Sequence, residues 1–349
     1  MSRPAREPTS PVAPASKALD RRIRMLRTAM GPEIAQALAD PDVVEVLLNP
    51  DGSLWLDRLG TGRAPMGVTL SAADGERIIR LIAAHVRAEV HAGKPLLTAE
   101  LPETGERFEG ALPPVTPGPV FALRKRAVGL IPLDDYVATG ILTVDQAAFL
   151  RAAVRERQNI LIAGGTSTGK TTLANALLDE VAATGDRVIV LEDTVELQCT
   201  AHDHVPLRTR PGVVSMTELV RSTLRLRPDR IVVGEVRGPE ALDLLKAWGT
   251  GHPGGIATVH AGSAVGALTR LEQLVQEVSV NVPRALIAET VNVIVFIAGR
   301  GRARRVGAIA RVTGLDGNSY RLDHELASAP LPLLPTSLPS PPSLPGETP

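Results

Sequence analysis

Apolar positions in the first third of the chain follow helical spacing in two segments and strand-like spacing between them. Helical spacing occurs at Leu19, Ile23, Leu26 and Met30, and again at Ile78, Ile79, Ile82 and Val86. Between these segments, Val43–Leu48 predicts a strand, and the turn residues Asn49-Pro50-Asp51-Gly52 lead into a second strand at residues 54–56. The pattern predicts a small α+β domain over residues 17–122.

From residue 141 onward, apolar runs of strand length alternate with amphipathic segments. The predicted strands are 159–163, 187–192, 231–234 and 255–259, and the predicted helices are 171–181, 216–226, 239–248 and 263–278. Strands that alternate with helices indicate a mostly parallel sheet covered on both faces. Residues 141–327 are therefore predicted to form an α/β domain.

The segments outside these two regions are rich in residues that interrupt regular structure. Pro, Gly and basic residues cluster at residues 113–132, and we place the interdomain linker over residues 123–140. Residues 1–16 and 328–349 are rich in Pro and Ser and lack periodic patterning. They are predicted to be a disordered arm and a disordered Pro-rich tail.

Composition supports two domains and excludes several classes of protein. The 349 residues are 44% hydrophobic, which is enough for a core in each domain. The 38 basic and 38 acidic residues balance, so no overall field draws the chain to nucleic acid or anionic lipid. The single Cys199 excludes an internal disulfide and a cysteine-based zinc site, and it favours a reducing cytoplasm. No apolar run approaches the ~20 residues of a membrane-spanning helix.

A phosphate-binding motif follows the first predicted strand of the second region. The run Gly164-Gly165-Thr166-Ser167-Thr168-Gly169-Lys170-Thr171 matches G-x-x-x-x-G-K-[ST] between a predicted strand and a predicted helix. Small residues allow backbone N–H groups to surround phosphates, and the positive end of the helix points at them. Lys170 would reach the β- and γ-phosphates, and Thr171 would place its hydroxyl on Mg²⁺. With the following Thr172, the motif predicts a nucleotide site.

Carboxylates at the ends of two later strands are candidates for the chemistry. Glu235 follows the apolar strand at 231–234, and in this class of sheet that position lies beside the P-loop. It is the candidate for activating the attacking water. Glu192 and Asp193 end the strand at 187–192 in the same way and are candidate metal-site acids. An exposed strand end or a capping acid is the alternative for each of them.

Two histidines flank the short predicted strand at residues 255–259. His252 precedes this strand and His260 follows it, and either could sense the γ-phosphate by hydrogen bonding. A lone histidine is more often structural. The candidate catalytic set from the sequence is therefore Lys170, Glu235, Glu192 and His260, with His252 as a candidate sensor.

Two clusters of basic residues raise further alternatives. The first predicted helix carries Lys17, Arg21, Arg22, Arg24 and Arg27. This face suits a membrane-surface contact, a partner contact or plain solvation.

A loop in the last part of the second region carries Arg300, Arg302, Arg304 and Arg305. It could touch nucleic-acid phosphates, but only 2% of the residues are aromatic. Few side chains are available for base stacking, so direct nucleic-acid binding is not expected.

Four motifs, taken in order, resemble those of the secretion traffic ATPases, the motors of type II secretion, type IV pili and type IV secretion. They are a Walker A loop at 164–171, an Asp box at 191–196, a Walker B strand at 231–235 and a His box at 251–260. Ser167 stands where the family commonly has glycine. One cysteine cannot build the four-cysteine zinc module of the pilus and type II assembly motors, and the short N-terminal domain is most similar to the conjugative-transfer branch.

The resemblance implies a RecA-like P-loop ATPase domain preceded by the smaller domain, with ATP and Mg²⁺ between them. It implies a homohexamer in the cytoplasm, docked on inner-membrane components of a transfer channel and peripherally associated with the membrane. Arg124 would contact the nucleotide from the N-terminal side. Arg221, Arg225 and Arg227 would include ring-interface or phosphate-sensing positions. The expected function is an ATP-driven motor for pilus assembly or substrate transfer, and a DNA-stimulated translocase or helicase is the alternative.

Overall fold

The computed structural model describes residues 17–59, 61–102, 104–126, 129–210 and 212–327. The predicted disordered arm at 1–16 and the predicted tail at 328–349 lie outside these residues. The described part of the chain forms one antiparallel sheet followed by one largely parallel sheet. None of its helices combines the length and the apolar character needed to span a membrane.

The N-terminal domain is an antiparallel sheet with two helices packed against it. Its elements are α1 (Lys17–Ala39), β1 (Val43–Leu48), β2 (Ser53–Arg58), β3 (Gly62–Thr69), α2 (Ala72–Val86), β4 (Leu96–Glu100), β5 (Arg107–Ala111) and β6 (Val120–Arg124). The strand order over the described residues is β3-β2-β1-β6-β5-β4. Ile34 of α1, Ile78 of α2 and Phe108 of β5 share one core. The predicted α+β domain is confirmed.

Helix α1 packs its apolar face on its own domain. Ile23, Leu26 and Met30 are buried, whereas the arginines at positions 21, 22, 24 and 27 are exposed. Gly31 adopts a φ of 73° and bends the helix before Pro32. The apolar face is therefore already buried within the domain, and the basic face remains at the surface.

The turn between β1 and β2 has the chemistry that the sequence predicted. Asn49 N donates to Ser53 O at 3.0 Å. Gly52 has a φ of 84°, and a Cβ there would lie 2.3 Å from the carbonyl oxygen of Leu70. Glycine is required at this position because it allows both the left-handed backbone and the close approach.

The second domain alternates strands and helices. Its elements are α3 (Leu133–Ala138), α4 (Val144–Arg155), β7 (Ile160–Gly164), α5 (Lys170–Ala182), β8 (Val188–Glu192), β9 (His204–Arg208), α6 (Met216–Thr223), β10 (Arg230–Val233), α7 (Glu240–Gly249), β11 (Ile256–His260), α8 (Ala264–Gln276), α9 (Arg284–Thr290), β12 (Val293–Ala298), β13 (Arg305–Asp316) and β14 (Ser319–Ala327). Its described strands lie in the order β14-β13-β12-β7-β11-β10-β8-β9. Strands β7 to β12 are parallel, and β13 and β14 add an antiparallel hairpin at one edge.

Helices cover both faces of this sheet, so its central strands are apolar on both sides. Leu161 and Ala163 of β7 belong to the core formed with α6, α7 and α8. Ile160 and Ile162 of the same strand belong to the core formed with α4 and α5. This alternation explains why the central strands read as continuous apolar runs in the sequence. The predicted α/β domain with a mostly parallel sheet is confirmed.

The segment between the two cores is shorter than the predicted linker at 123–140. Strand β6 ends at Arg124, and Leu133 and Tyr136 of α3 are buried in the core of the second domain. Lys125 Nζ donates to Asp40 O at 2.6 Å and fixes the start of the connection to the first domain. Residues 125–132 therefore make the connection between the two cores.

Parallel strands bring the ends of four chain segments to one edge of the second sheet. The loop at 164–170 follows β7, and His260 ends β11 in register with Gly164. Glu192 ends β8, and Glu235 lies two residues beyond β10. The carboxyl ends of parallel strands are the usual place for a ligand in such sheets.

Candidate nucleotide-binding and hydrolysis site

The P-loop at residues 164–171 turns tightly from β7 into α5. Gly169 has a φ of 96° and Ser167 a φ of 62°. A Cβ at Gly164 would lie 2.5 Å from the carbonyl oxygen of Ile297, so this position also requires glycine. Ser167 holds a left-handed conformation that costs a residue with a side chain about 1 kcal/mol. The loop therefore keeps the backbone path of its motif despite the serine.

Lys170 lies beneath this loop and is 7% exposed. Its Nζ donates to Gly165 O at 3.1 Å, and Thr168 Oγ1 donates to the same oxygen at 2.9 Å. Burial lowers the pKa of Lys170; the charge of Glu235 acts in the opposite direction, and that of Arg124 adds to the lowering. A cation held in this way beside the first turn of a helix is arranged for phosphate.

The other predicted phosphate-site residues lie in the same segment. Thr166 is in the loop, and Thr171 and Thr172 are in the first turn of α5. The backbone N–H groups of that turn have no partner within the helix and point toward the loop. The structure thus brings the whole predicted Walker A segment into one turn between β7 and α5.

Two side chains hold the carboxylate of Glu235. Its Oε1 lies 2.8 Å from His260 Nε2, and its Oε2 accepts a hydrogen bond from Arg237 Nη2 at 2.5 Å. Lys170 Nζ lies 3.3 Å from the same His260 nitrogen. Three of the predicted catalytic residues, Lys170, Glu235 and His260, therefore form one connected cluster.

The protonation of His260 follows from these neighbours. Burial and the charge of Lys170 lower its pKa, while Glu235 acts in the opposite direction. Since an unperturbed histidine titrates near ~6.5, His260 is neutral at pH 7 and has one ring N–H. The shorter contact is the one to Glu235, so we assign the proton to Nε2. His260 then donates to Glu235 and orients its carboxylate.

The acid that contacts Thr171 is Glu196. Its Oε2 accepts from Thr171 Oγ1 at 3.3 Å. Glu192, which is 5% exposed, uses Oε1 to accept the backbone N–H groups of Glu196 at 2.8 Å and Leu197 at 2.7 Å. Burial raises the pKa of Glu192, and these hydrogen bonds oppose the rise. Glu192 therefore shapes the turn that places Glu196.

Asp193 lies in the same cleft, with its carboxylate directed at other partners. Its Oδ1 accepts from Thr209 Oγ1 at 2.8 Å, and its Oδ2 lies 3.7 Å from Arg237 Nη1. The structure places Asp193 beside Thr209 and Arg237, and it places Glu196 beside Thr171.

The N-terminal domain supplies two arginines to this cleft. Arg107 Nη1 lies 3.8 Å from Glu196 Oε1. Arg124 pairs with Arg107 across β5 and β6, and its charge is among the groups that act on the pKa of Lys170, after burial and Glu235. The cleft therefore lies between the two domains.

A second contact ties the domains together beside the cleft. Arg208 of β9 donates to both carboxylate oxygens of Glu100 in β4, at 2.9 and 2.6 Å. A bidentate pair of this kind fixes orientation as well as distance. It holds the sheet that carries Arg107 against the Asp box.

The four predicted interface or sensor residues do not reach this cleft within one chain. His252 lies before β11 and places Nδ1 3.0 Å from Pro228 O, at the opposite end of the sheet from the P-loop. Arg225 and Arg227 are exposed in the segment before β10. Arg221 forms a bidentate ion pair with Asp243 of α7. Contact with nucleotide from these positions would need a second chain.

Two arginines of the cleft, Arg237 and Arg107, were not among the predicted site residues, and Glu196 was named only as part of the Asp box. Arg237 follows the predicted Walker B acid by two residues, and this closeness in the sequence was the available signal. Arg107 carries no local signal, because only the pairing of β5 with β6 brings it beside Arg124. Tertiary structure was needed to find it.

The oxygen donors of the cleft fit Mg²⁺ bound together with phosphate. The Thr171 hydroxyl and the Glu196 carboxylate are hard ligands of the kind that Mg²⁺ takes. Among the described residues, no group of three or more His, Cys, Asp or Glu side chains is arranged to hold a metal. Mg²⁺ commonly keeps several waters and takes further ligands from bound phosphate, and these two oxygen donors would leave room for both.

The class of the protein follows from where its charged groups meet. A phosphate-binding turn and an oriented carboxylate at the same edge of a RecA-like parallel sheet define a P-loop ATPase. Residues 84–300 match the family described as type II/IV secretion system protein. The chain belongs to this family.

Curated relatives confirm the resemblance found in the four motifs. The chain is 50% identical over 307 residues to the probable conjugal transfer protein TrbB of Sinorhizobium fredii (strain NBRC 101917 / NGR234), covering 87% of this chain and 94% of that protein. It is 47% identical over 306 residues to the conjugal transfer protein TrbB of Rhizobium radiobacter, with coverages of 87% and 94%. The X-ray structure of the Legionella pneumophila ATPase DotB has a similar fold, with a TM-score of 0.58, 18% identity and coverages of 86% and 82%.

Substitution of Glu192 separates a role in shaping the turn from a role in catalysis. Glu192→Gln keeps an acceptor oxygen for the two backbone N–H groups, so we expect hydrolysis within about tenfold of the unaltered protein. Glu192→Ala leaves both N–H groups without this partner, and we expect a loss of about 2 kcal/mol in the free energy of unfolding, together with a loss of activity. Urea unfolding and steady-state phosphate release measure the two effects. A folded Glu192→Gln protein with no turnover would return Glu192 to the catalytic or metal role predicted from the sequence.

Proposed function

We propose that this protein is a hexameric, Mg²⁺-dependent ATPase that powers a conjugative transfer machine of the type IV secretion class. The observation that carries the proposal is the Glu235 carboxylate, which His260 and Arg237 hold at the edge of the sheet where Lys170 lies. A buried lysine alone would suit phosphate binding. An oriented acid beside it adds a group for the hydrolysis of the bound phosphate.

The proposed reaction uses Glu235 as the general base. The water oxygen bonds to the γ-phosphorus while one water proton passes to Glu235, and the bond from the γ-phosphorus to the bridging oxygen of the β-phosphate breaks. The products are ADP and phosphate. Lys170 and the N–H groups of the P-loop would bind the β- and γ-phosphate oxygens as charge shifts onto the leaving group. His260 keeps the carboxylate turned toward the water.

Thr171 and Glu196 would hold the metal ion, with Glu192 positioning Glu196 and Asp193 contributing from the edge of the cleft. Mg²⁺ bound there would neutralise charge shared by the β- and γ-phosphates. Arg107, which faces Glu196 from the N-terminal domain, and Arg124 beside it would add positive charge on the opposite side of the nucleotide. Domain closure would then depend on the nucleotide.

In a ring, charged residues that lie away from the cleft of their own chain could act at the cleft of a neighbouring subunit. Arg225 and Arg227 are exposed at the far end of the sheet, near His252. A neighbouring subunit could present such cations to the γ-phosphate, where a charge-compensating arginine strongly accelerates hydrolysis. Arg221 would act at the same interface while paired with Asp243. The family resemblance implies a homohexamer. In such a ring, each cleft would lie beside a neighbouring subunit.

The proposed setting is the cytoplasmic face of the inner membrane. Both relatives compared above carry the name conjugal transfer protein, which favours a transfer motor over the alternative DNA-stimulated translocase. Inner-membrane components of the transfer channel would be the docking partners. The exposed basic face of α1, with its arginines at 21, 22 and 24, would support peripheral contact with anionic lipid.

Glu235→Gln tests the proposed base. The amide keeps the size of the side chain and cannot take the proton, so we expect ATP to bind while turnover falls by about 100-fold or more. Nucleotide binding and phosphate release are measured on the same sample, with Glu277→Gln, which changes a surface acid outside the cleft, as the control. Turnover near that of the unaltered protein would exclude Glu235 as the base.

Electron microscopy of the purified chain with Mg²⁺ and a non-hydrolysable ATP analogue tests the ring. We expect closed six-fold particles. Particles of a single chain at saturating nucleotide, or rings of another symmetry, would contradict the proposed assembly. Neither result would change the proposal that the cleft binds nucleotide.

A further inference from the structure

The loop after β12 brings Arg304 against the P-loop. A Cβ added to Gly169 would lie 3.0 Å from Nε and 3.1 Å from Cζ of Arg304. This contact is possible because β12 runs parallel to β7 as its direct neighbour, so the residues after both strands lie at the same edge. Gly169 immediately precedes α5. The guanidinium therefore lies beside the turn that binds phosphate.

The charge of Arg304 is not neutralised within the described part of the chain. Its Nε is buried without a hydrogen-bond partner, and the guanidinium forms no ion pair with a described residue. A buried N–H without a partner is destabilising, because it has lost its hydrogen bond to water. A cation at the N-terminal end of a helix such as α5 is also unfavourable, because that end is itself positive. A bound anion would remove both costs.

Among the described residues, the side chain that acts on the same buried region as the Arg304 guanidinium is the phenol of Tyr136. Burial raises the pKa of the Tyr136 hydroxyl, and the charge of Arg304 opposes the rise, so the phenol and the guanidinium are close. The Tyr136 hydroxyl is buried and lacks a hydrogen-bond partner among the described residues. It stays protonated and neutral at pH 7. A ligand on the P-loop side would supply the compensation that Arg304 does not receive from the described residues.

The strand order shows which part of a nucleotide Arg304 would meet. Strands β11, β10 and β8, which lead to His260, Glu235 and Glu192, lie on one side of β7, and β12 lies on the other. The γ-phosphate has to face the side with Glu235, because the base acts there. The phosphate chain then runs along the loop, and its α-phosphate end lies toward β12 and Arg304.

We propose that Arg304 binds the α-phosphate of the nucleotide and holds ATP and ADP equally. The proposal rests on the nucleotide site described above and adds a binding residue to it. Since the α-phosphate is unchanged by hydrolysis, this contact contributes to the affinity for substrate and product and leaves the chemical step unaltered. Arg304 would keep the nucleotide in place while the γ-phosphate leaves.

Titration of the full-length chain with ADP and with a non-hydrolysable ATP analogue, by calorimetry in the presence of Mg²⁺, tests this role. For Arg304→Ala we expect both affinities to fall by a similar factor, about 10- to 100-fold, as for the loss of a charged hydrogen bond. At saturating ATP, kcat should stay within about threefold, so the effect appears in KM. Arg304→Lys should recover part of the affinity. Arg300→Ala, which removes an exposed arginine of the same loop, should change neither affinity.

Other outcomes would overturn the proposal. A loss of affinity for the ATP analogue with ADP unchanged would place Arg304 at the γ-phosphate. Unchanged affinities for both ligands in Arg304→Ala, or in the uncharged Arg304→Gln if the alanine variant melts early, would make Arg304 a packing residue. If the unaltered protein bound neither ligand, the nucleotide site itself would be refuted, and this result is distinguishable from the other two.

Discussion

The structure concentrates positive groups at one edge of a parallel sheet, and we propose that a triphosphate binds there. Backbone N–H groups at the start of α5 and the buried Lys170 are these positive groups. Parallel strands make it possible, because only they bring the P-loop, Glu192, Glu235 and His260 to the same edge. Because helices cover both faces of this sheet, β7, β8 and β10 must be apolar at nearly every position.

The charged groups around this site balance one another across the two domains. Lys170, Arg237 and Arg107 are cations of the cleft, and Glu235 and Glu196 are the acids they face. Lys170 Nζ and the Glu235 carboxylate both lie against Nε2 of His260, while Arg107 meets Glu196 from the N-terminal domain. Added phosphate would compete with the acids for the cations. The proposed nucleotide binding would thereby be coupled to the position of the N-terminal domain, which the Glu100–Arg208 pair also holds.

Much of the fold was predictable, because it depends on local patterns. The strand at Val43–Leu48 has the bounds that alternation and turn chemistry gave it, and the Walker A segment lies between a strand and a helix as its motif requires. Strand β9, which the sequence analysis did not assign, is short and carries a proline, and its pairing with β8 decides its structure. The limits of the linker were also missed, since the burial of Leu133 and Tyr136 is a tertiary feature.

Within the site, the residues next to strand ends were predictable, whereas Arg107 and the contact of Glu196 with Thr171 were not. The sequence pattern made His252 and His260 equally good candidates for the site. Only the direction of β11 shows that His260 lies at the P-loop edge of the sheet and His252 at the opposite end.

The most direct test of this account is steady-state ATP hydrolysis by Lys170→Ala, compared with the unaltered chain at matched thermal stability. If the buried ammonium is the main cation for the β- and γ-phosphates, the variant should fold normally and release no phosphate above background. A folded Lys170→Ala protein that hydrolyses ATP at the unaltered rate would contradict the account.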